Sequence, residues 1–240
     1  MSSTIRLYFP DKIQSDLSSH LTREQTHYVK DVMRLKIGDK ISIFNTFGEW
    51  NAFIESYDKN IAKIKIQEKT RNKDHDKNIW LAFSPIKQNS MNFLIQKATE
   101  LGVQKFIPIL AERTIVREIN IERIKKIIIE SSEQSNRTSI PEINKPESLK
   151  NFLYTFPKNG FLVFGNINSN KKNLTEILKK KIDGPICILI GPEGDFSEKE
   201  RISIIDLNQT YSISLAKNIL KAETAALSAI SIVNYHLNFR

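Results

Sequence analysis

Cysteine is nearly absent from these 240 residues, with Cys187 the only one, so no disulfide can close within the chain. Its setting, Ile186-Cys187-Ile188-Leu189-Ile190, is that of a core thiol rather than a nucleophile. Histidine is scarce as well. His20, His27, His75 and His236 are scattered without metal-ligand spacing, and no metal is expected. No run of about 18 apolar residues occurs, which excludes a membrane-spanning helix. The opening Met1-Ser2-Ser3-Thr4-Ile5-Arg6 has no signal-type apolar segment, so a cytoplasmic protein is expected. Internal repeats and low-complexity tracts are absent too.

Acidic residues are in deficit. Lys and Arg number 36 against 27 Asp and Glu, a formal charge of +9, and the excess is uneven. Residues 71–185 carry 20 basic against 12 acidic side chains, whereas 186–240 carry 5 against 6. A basic middle beside a neutral C-terminal part suits a polyanionic partner, because phosphate contacts supply most nucleic-acid affinity. Hydrophobic residues make up 40% of the chain, enough for a real core.

The first 70 residues read as a small β-rich unit. Arg6-Leu7-Tyr8-Phe9 before Pro10 is a short strand, and Thr22-x-x-Gln25 is a capping box opening a helix through about Met33. Strands follow at Ile41 to Phe44, Trp50 to Tyr57 and Ile61 to Ile66, the last two joined by a turn at Asp58-Lys59-Asn60. The alternation Ile61-Ala62-Lys63-Ile64-Lys65-Ile66 buries one face and wets the other. A small antiparallel barrel over 1–70 is the expected product. Residues 71–78 are polar and turn-rich, as a linker would be.

From Ile79 the pattern alternates strand and helix. Strands are expected at Ile79 to Phe83, Lys105 to Leu110, Phe161 to Phe164, Ile186 to Ile190 and Tyr211 to Leu215. Helices are expected from Met91 to Leu101, closed by Gly102, from an Asn120 cap to Glu133, from Leu174 to Lys180, after Ser197, and from Glu223 to Leu237. Such alternation predicts an α/β fold with a mostly parallel sheet over 79–240.

Two strand-to-helix loops concentrate the chemistry. Gly191-Pro192-Glu193-Gly194 follows one β-run, and Ile219-Leu220-Lys221-Ala222-Glu223-Thr224-Ala225 leads into the last helix. Loops at the carboxyl ends of parallel strands are where ligands bind in such sheets. By spacing alone, two ordinary turns or an anion-binding loop fit equally well.

This pair of motifs resembles the signature of the SPOUT methyltransferases, specifically the RsmE-type enzymes that methylate N3 of a uridine in 16S rRNA. The likeness extends to Val32-Met33-Arg34-Leu35-Lys36-Ile37-Gly38-Asp39, to Lys87-Gln88-Asn89-Ser90-Met91, to Gln96-Lys97-Ala98-Thr99-Glu100-Leu101-Gly102-Val103 and to Glu133-Gln134-Ser135-Asn136-Arg137. It implies a PUA-like RNA-binding barrel followed by a parallel sheet with a C-terminal trefoil knot, acting as a homodimer on 16S rRNA in the small ribosomal subunit. It also implies S-adenosylmethionine held by Phe164, Gly165, Gly191, Pro192, Glu193, Gly194, Leu215, Ile219 and Leu220. Glu223 is the candidate base, and Lys221 would steady charge on the uracil. Arg6, Arg34, Lys87 and Arg137 are candidate RNA contacts. The chain departs from the family at Asp195 and Ala216, where glycine is usual, and at Asn218 and Lys221, where arginine is. These departures leave room for an RNA-binding assembly factor of the same fold with weak catalysis.

Overall fold

The computed structural model describes residues 5–74, 77–166, 174–179, 183–208 and 210–238. The chain forms two compact units, one of residues 1–75 with 132–140 and one of residues 76–131 with 141–240.

In the first unit, β1 (Arg6–Tyr8), β2 (Ser18–His20), β3 (Lys40–Asn45), β4 (Gly48–Asp58) and β5 (Ile61–Asn72) form one sheet in the order β1-β3-β4-β5-β2. The expected alternation holds: Ala62, Ile64 and Ile66 are buried, and with Leu7, Ile41, Ile43, Ala52 and Ile54 they build the core. The β4–β5 turn takes Lys59 and Asn60 to φ 46° and 66°, the left-handed pair of a tight hairpin.

Three expectations need correction here. The sheet is mixed rather than antiparallel, because β1 pairs parallel with β3, and its strand path ends at β1 and β2 among the described residues. The expected linker is partly strand, since β5 runs on through Asn72 and pairs Lys69, Arg71 and Asn72 with Trp50, Glu49 and Gly48. A polar run becomes strand when a neighbouring strand supplies its backbone partners. The helix after Thr22 changes register as well. Its capping box forms as expected over α1 (Arg23–His27), but Tyr28–Val32 is a π turn closed by the Met33 N–H to Tyr28 O bond at 2.9 Å. The wider turn keeps Val29 wholly buried while Val32 and Met33 lie at the surface.

The second unit holds β6 (Ile79–Phe83), α2 (Gln88–Glu100), β7 (Lys105–Leu110), α3 (Ile121–Gln134, its last three residues counted in the first unit), β8 (Glu142–Ile143), β9 (Glu147–Ser148) and α4 (Leu149–Thr155). It continues with β10 (Phe161–Gly165), α5 (Leu174–Ile177), β11 (Ile186–Ile190), α6 (Glu198–Ile205), β12 (Thr210–Ile213) and α7 (Ala222–Asn238). Every strand pairing is parallel, in the order β12-β10-β11-β6-β7-β8, with β9 also on β7. The central strands are covered on both faces, and all five residues of β11 are buried. Cys187 is among them, and burial pushes its thiol far above the usual range, so it stays a neutral core group.

Helix ends follow the sequence closely. Asn120 Oδ1 accepts from Arg123 N at 3.0 Å at the start of α3, and the Ser197 and Glu200 side chains complete a capping box on α6. Gly102 closes α2 at φ +94°, and Asn234 of α7 donates to Leu101 O at 2.7 Å, tying the two helices together. α7 buries Ala226, Ala229, Ile230 and Val233. Beyond the expected elements are β2, β8, β9 and α4, and β12 stops at Ile213, which places Leu215 in a loop. The expected helix from Leu174 is described as far as Ile177; Lys180 lies outside the described residues.

Candidate active site

Four strands of one parallel sheet end side by side, and the loops after them converge. β12, β10, β11 and β6 are neighbours in that order, so the segments following Ile213, Gly165, Ile190 and Phe83 leave the same edge. Between them lies a cleft of about 490 Å³. That volume suits a small organic ligand.

Most of the expected ligand residues meet there. Gly165, Gly191, Pro192, Glu193, Leu215, Ile219 and Leu220 line the cleft, and so do Lys221, Glu223 and Lys87. Two do not. Phe164 is 1% exposed and packs edge-on against Phe196 with ring centroids 5.7 Å apart, so it sits in the core behind the loops. The alternation of a strand explains this, since Gly165 is turned to the cleft and Phe164 away from it. Gly194 belongs to the loop but not to the lining: its carbonyl accepts from Arg113 Nη1 at 3.0 Å, and a Cβ built on it would lie an ordinary 3.5 Å from the Arg113 side chain.

The glycines that matter are Gly191 and Gly165. A Cβ on Gly191 would come within 2.8 Å of the buried Phe196 ring, and one on Gly165 within 2.9 Å of Ile190 Cδ1. Each glycine therefore lets its loop press against the hydrophobic core while leaving backbone open to the cleft.

Glu223 lies in the first turn of α7, and its Oε1 accepts from Ser90 Oγ at 3.3 Å across to the first turn of α2. The first turn of a helix favours a carboxylate there. Ser90 and Asn166 line the cleft without being candidate ligand residues by sequence, and so do Asp195 and Asn218, which the sequence marks only as departures from the family. Ser90 was findable: it starts the helix after β6, at the same strand ends as the two motifs.

The departures from glycine behave differently from one another. Ala216 lines the cleft without entering the left-handed backbone region, so its methyl carries no strain. Asp195 does enter it, at φ +59°. Aspartate tolerates that conformation better than most residues.

The arginines expected to contact RNA divide. Arg34 is exposed at φ +56°, beyond the π turn. Arg6 is engaged internally: its guanidinium binds both Glu49 carboxylate oxygens at 2.9 and 3.0 Å, donates to the carbonyls of Ser132, Glu133 and Arg137 at 2.8–3.1 Å, and lies 4.3 Å over the Phe44 ring. Arg137 is 7% exposed and donates to Ser139 Oγ at 2.9 Å. Both hold the first unit together. Burial alone would raise the Glu49 carboxyl, but hydrogen bonds from Arg6 and Ser42 and the charges of Arg6 and Arg71 outweigh it and hold the carboxyl below its ordinary range. In the second unit, Lys97 and Glu100 form a local pair at 2.8 Å on α2.

Among the described residues no three His, Cys, Asp or Glu side chains gather as metal ligands would, and no helix is long and apolar enough to cross a membrane.

Residues 73–234 match the RNA methyltransferase domain family, and residues 21–67 match the RNA methyltransferase PUA domain family. The ribosomal RNA small subunit methyltransferase E of Rickettsia conorii is 34% identical over 231 residues, 95% of this chain and 94% of its own. That of Bacillus subtilis is 28% identical, covering 90% and 89%. A crystal structure of the same-named protein from Neisseria gonorrhoeae, bound to S-adenosyl methionine, superposes with a TM-score of 0.87 at 28% identity over 97% of both chains. A putative methyltransferase from Legionella pneumophila, also with S-adenosylmethionine bound, gives 0.85 at 28% identity over 97% of both.

Proposed function

The chain belongs to the ribosomal RNA small subunit methyltransferase E family, and on that premise we propose that it methylates N3 of a uridine in 16S rRNA with S-adenosylmethionine as donor. The observation that carries this reading is the cleft itself. The segments after four adjacent parallel strands meet there, and one of the cleft's carboxylates, Glu223, is already hydrogen-bonded within it.

The lining fits the donor. Gly165 and Gly191 present open backbone, Ile190, Leu215 and Leu220 offer apolar surface for an adenosyl group, and Glu193 and Glu223 supply negative charge for a cationic ligand. When bound, S-adenosylmethionine supplies a methyl group on a positively charged sulfur.

The chain's own residues then have two tasks. Holding both reactants in line supplies on the order of 7–11 kcal/mol of the barrier reduction in well-aligned cases. The second task is the N3 proton. Glu223 accepts it, with Ser90 donating to the carboxylate to fix its direction, and the N3 electron pair freed in this way would form the new bond to the methyl carbon as that carbon's bond to sulfur breaks, its electron pair leaving with the sulfur as a neutral thioether. Lys221 and Lys87 line the same cleft and offset the negative charge that spreads onto the uracil oxygens. Lysine does this as a point charge, without the two-pronged grip of arginine.

We extend the reading to the features that family resemblance brings. After β11 inserts between β10 and β6, the chain passes to the outer edge of β10 as β12 and returns as α7 against β11 and β6. A trefoil knot threads a chain along such a route. The homodimer, the cytoplasmic location, the small ribosomal subunit as substrate and the role of the exposed Arg34 in gripping RNA belong to the same proposal.

The test combines calorimetry with S-adenosylmethionine and mass spectrometry of small-subunit rRNA incubated with protein and donor. Binding, and a 3-methyluridine absent from the Glu223→Gln reaction, are expected. No heat of binding would leave an RNA-binding assembly factor; full activity in Glu223→Gln would remove Glu223 as base.

A further inference from the structure

The loop bordering the cleft ends in a residue whose backbone is in the left-handed region, yet that residue is not glycine. Asp195 has φ +59°, and its N–H closes a turn onto Pro192 O at 2.9 Å. Its carboxylate is used on both sides. Oδ1 accepts from Phe196 N at 2.8 Å, and Oδ2 accepts from Arg201 Nη2 at 2.7 Å. Arg201 itself is fixed within α6, where its N–H bonds to Ser197 O at 2.9 Å, and its side chain is 17% exposed. Its Nε is buried without a hydrogen-bond partner, so the Asp195 carboxylate is what compensates this cation.

Resting on the methyl-donor reading of the cleft, we infer that Arg201 is a positioning residue for the donor-binding loop. By gripping Asp195 it holds residues 191–196 in the shape that borders the cleft, a shape that glycine at this position would reach without a clamp. The argument is one of conformational preference. Glycine populates positive φ freely, whereas an L side chain there is disfavoured unless its surroundings determine it. Here they do: Phe196 anchors the following position in the core against Phe164, and the carboxylate is held from α6. Arg201 does not line the cleft, so its effect reaches the ligand only through the loop.

A double-mutant cycle on the full chain separates this from a merely structural ion pair. Arg201→Met is expected to weaken S-adenosylmethionine binding about fivefold by calorimetry, about 1 kcal/mol. In an Asp195→Gly background the same Arg201→Met change is expected to have no further effect, because glycine needs no clamp. In the ligand-free protein, Arg201→Met is expected to speed hydrogen exchange at the Asp195 and Phe196 amides. An unchanged affinity in Arg201→Met, or an equal loss in both backgrounds, overturns the inference. If the parent chain binds no S-adenosylmethionine, the functional reading fails instead, and the exchange rates alone decide the clamp.

Discussion

At Arg6 the surroundings engage a residue that the family resemblance offers as an RNA contact. Five acceptors surround its guanidinium, and one partner, Glu49, is itself nearly buried. Removing the cation leaves the Glu49 carboxylate with only Ser42 and an Arg71 guanidinium 3.8 Å away, so Arg6→Ala is expected to cost roughly 3 kcal/mol of stability in urea denaturation. Affinity for RNA per folded molecule should change little. The same pair sets an acid limit. Glu49 has a folded-state pKa below its unfolded value, so its contribution is present above about pH 4.3 and is lost as pH falls through the folded value. Denaturation midpoints measured between pH 6 and 3 should drop steeply below that point, and Glu49→Gln should flatten the drop. Asp74, held below its ordinary range against burial by Thr138 hydrogen bonds and by Arg71, adds to the slope in the same direction.

Among the elements, the strand-to-helix loops separate two glycines that look alike in the motif. A Cβ on Gly191 would fall 2.8 Å from the Phe196 ring, while one on Gly194 has ordinary room beside Arg113. Gly191→Ala must shift either the loop or the core, an overpacking cost of about 1–3 kcal/mol. It is expected to weaken S-adenosylmethionine binding by about tenfold or more in calorimetry, equivalent to about 1.4 kcal/mol. Gly194→Ala is expected to stay within about twofold of the parent chain. Motif spacing marks both positions; only the packing behind the loop tells them apart. The π turn teaches the same lesson, since the Thr22 cap is written in sequence but the register change that buries Val29 answers to the core.

For the whole molecule, the first unit is discontinuous in sequence. Residues 132–140 belong with 1–75, and they bring the Ser132, Glu133 and Arg137 carbonyls to Arg6, the Glu133 carboxylate to Tyr8 N at 2.9 Å, and Thr138 to Asp74. A fragment of residues 1–75 lacks all of these acceptors. It is expected to show no cooperative thermal transition by circular dichroism, whereas the full chain does. Composition gave no hint of this arrangement, because a boundary read from a polar stretch assumes that each unit is one continuous piece of chain.

Local patterning alone settled a good deal. The capping boxes at Thr22 and Ser197, the closing Gly102, the alternation in β5 and the apolar runs of β10 and β11 depend on interactions a few residues apart, and these are legible one segment at a time. Most cleft residues were legible for a related reason, since ligand loops follow strand ends and the two motifs mark those ends. Tertiary structure alone decided the parallel pairing of β1 with β3, the internal partners of Arg6, Arg137 and Phe164, and the place of Ser90 and Asp195 in the cleft lining. Each of those depends on a partner tens of residues away in sequence or on which side of a strand faces the core. Such facts exist only once the chain has folded.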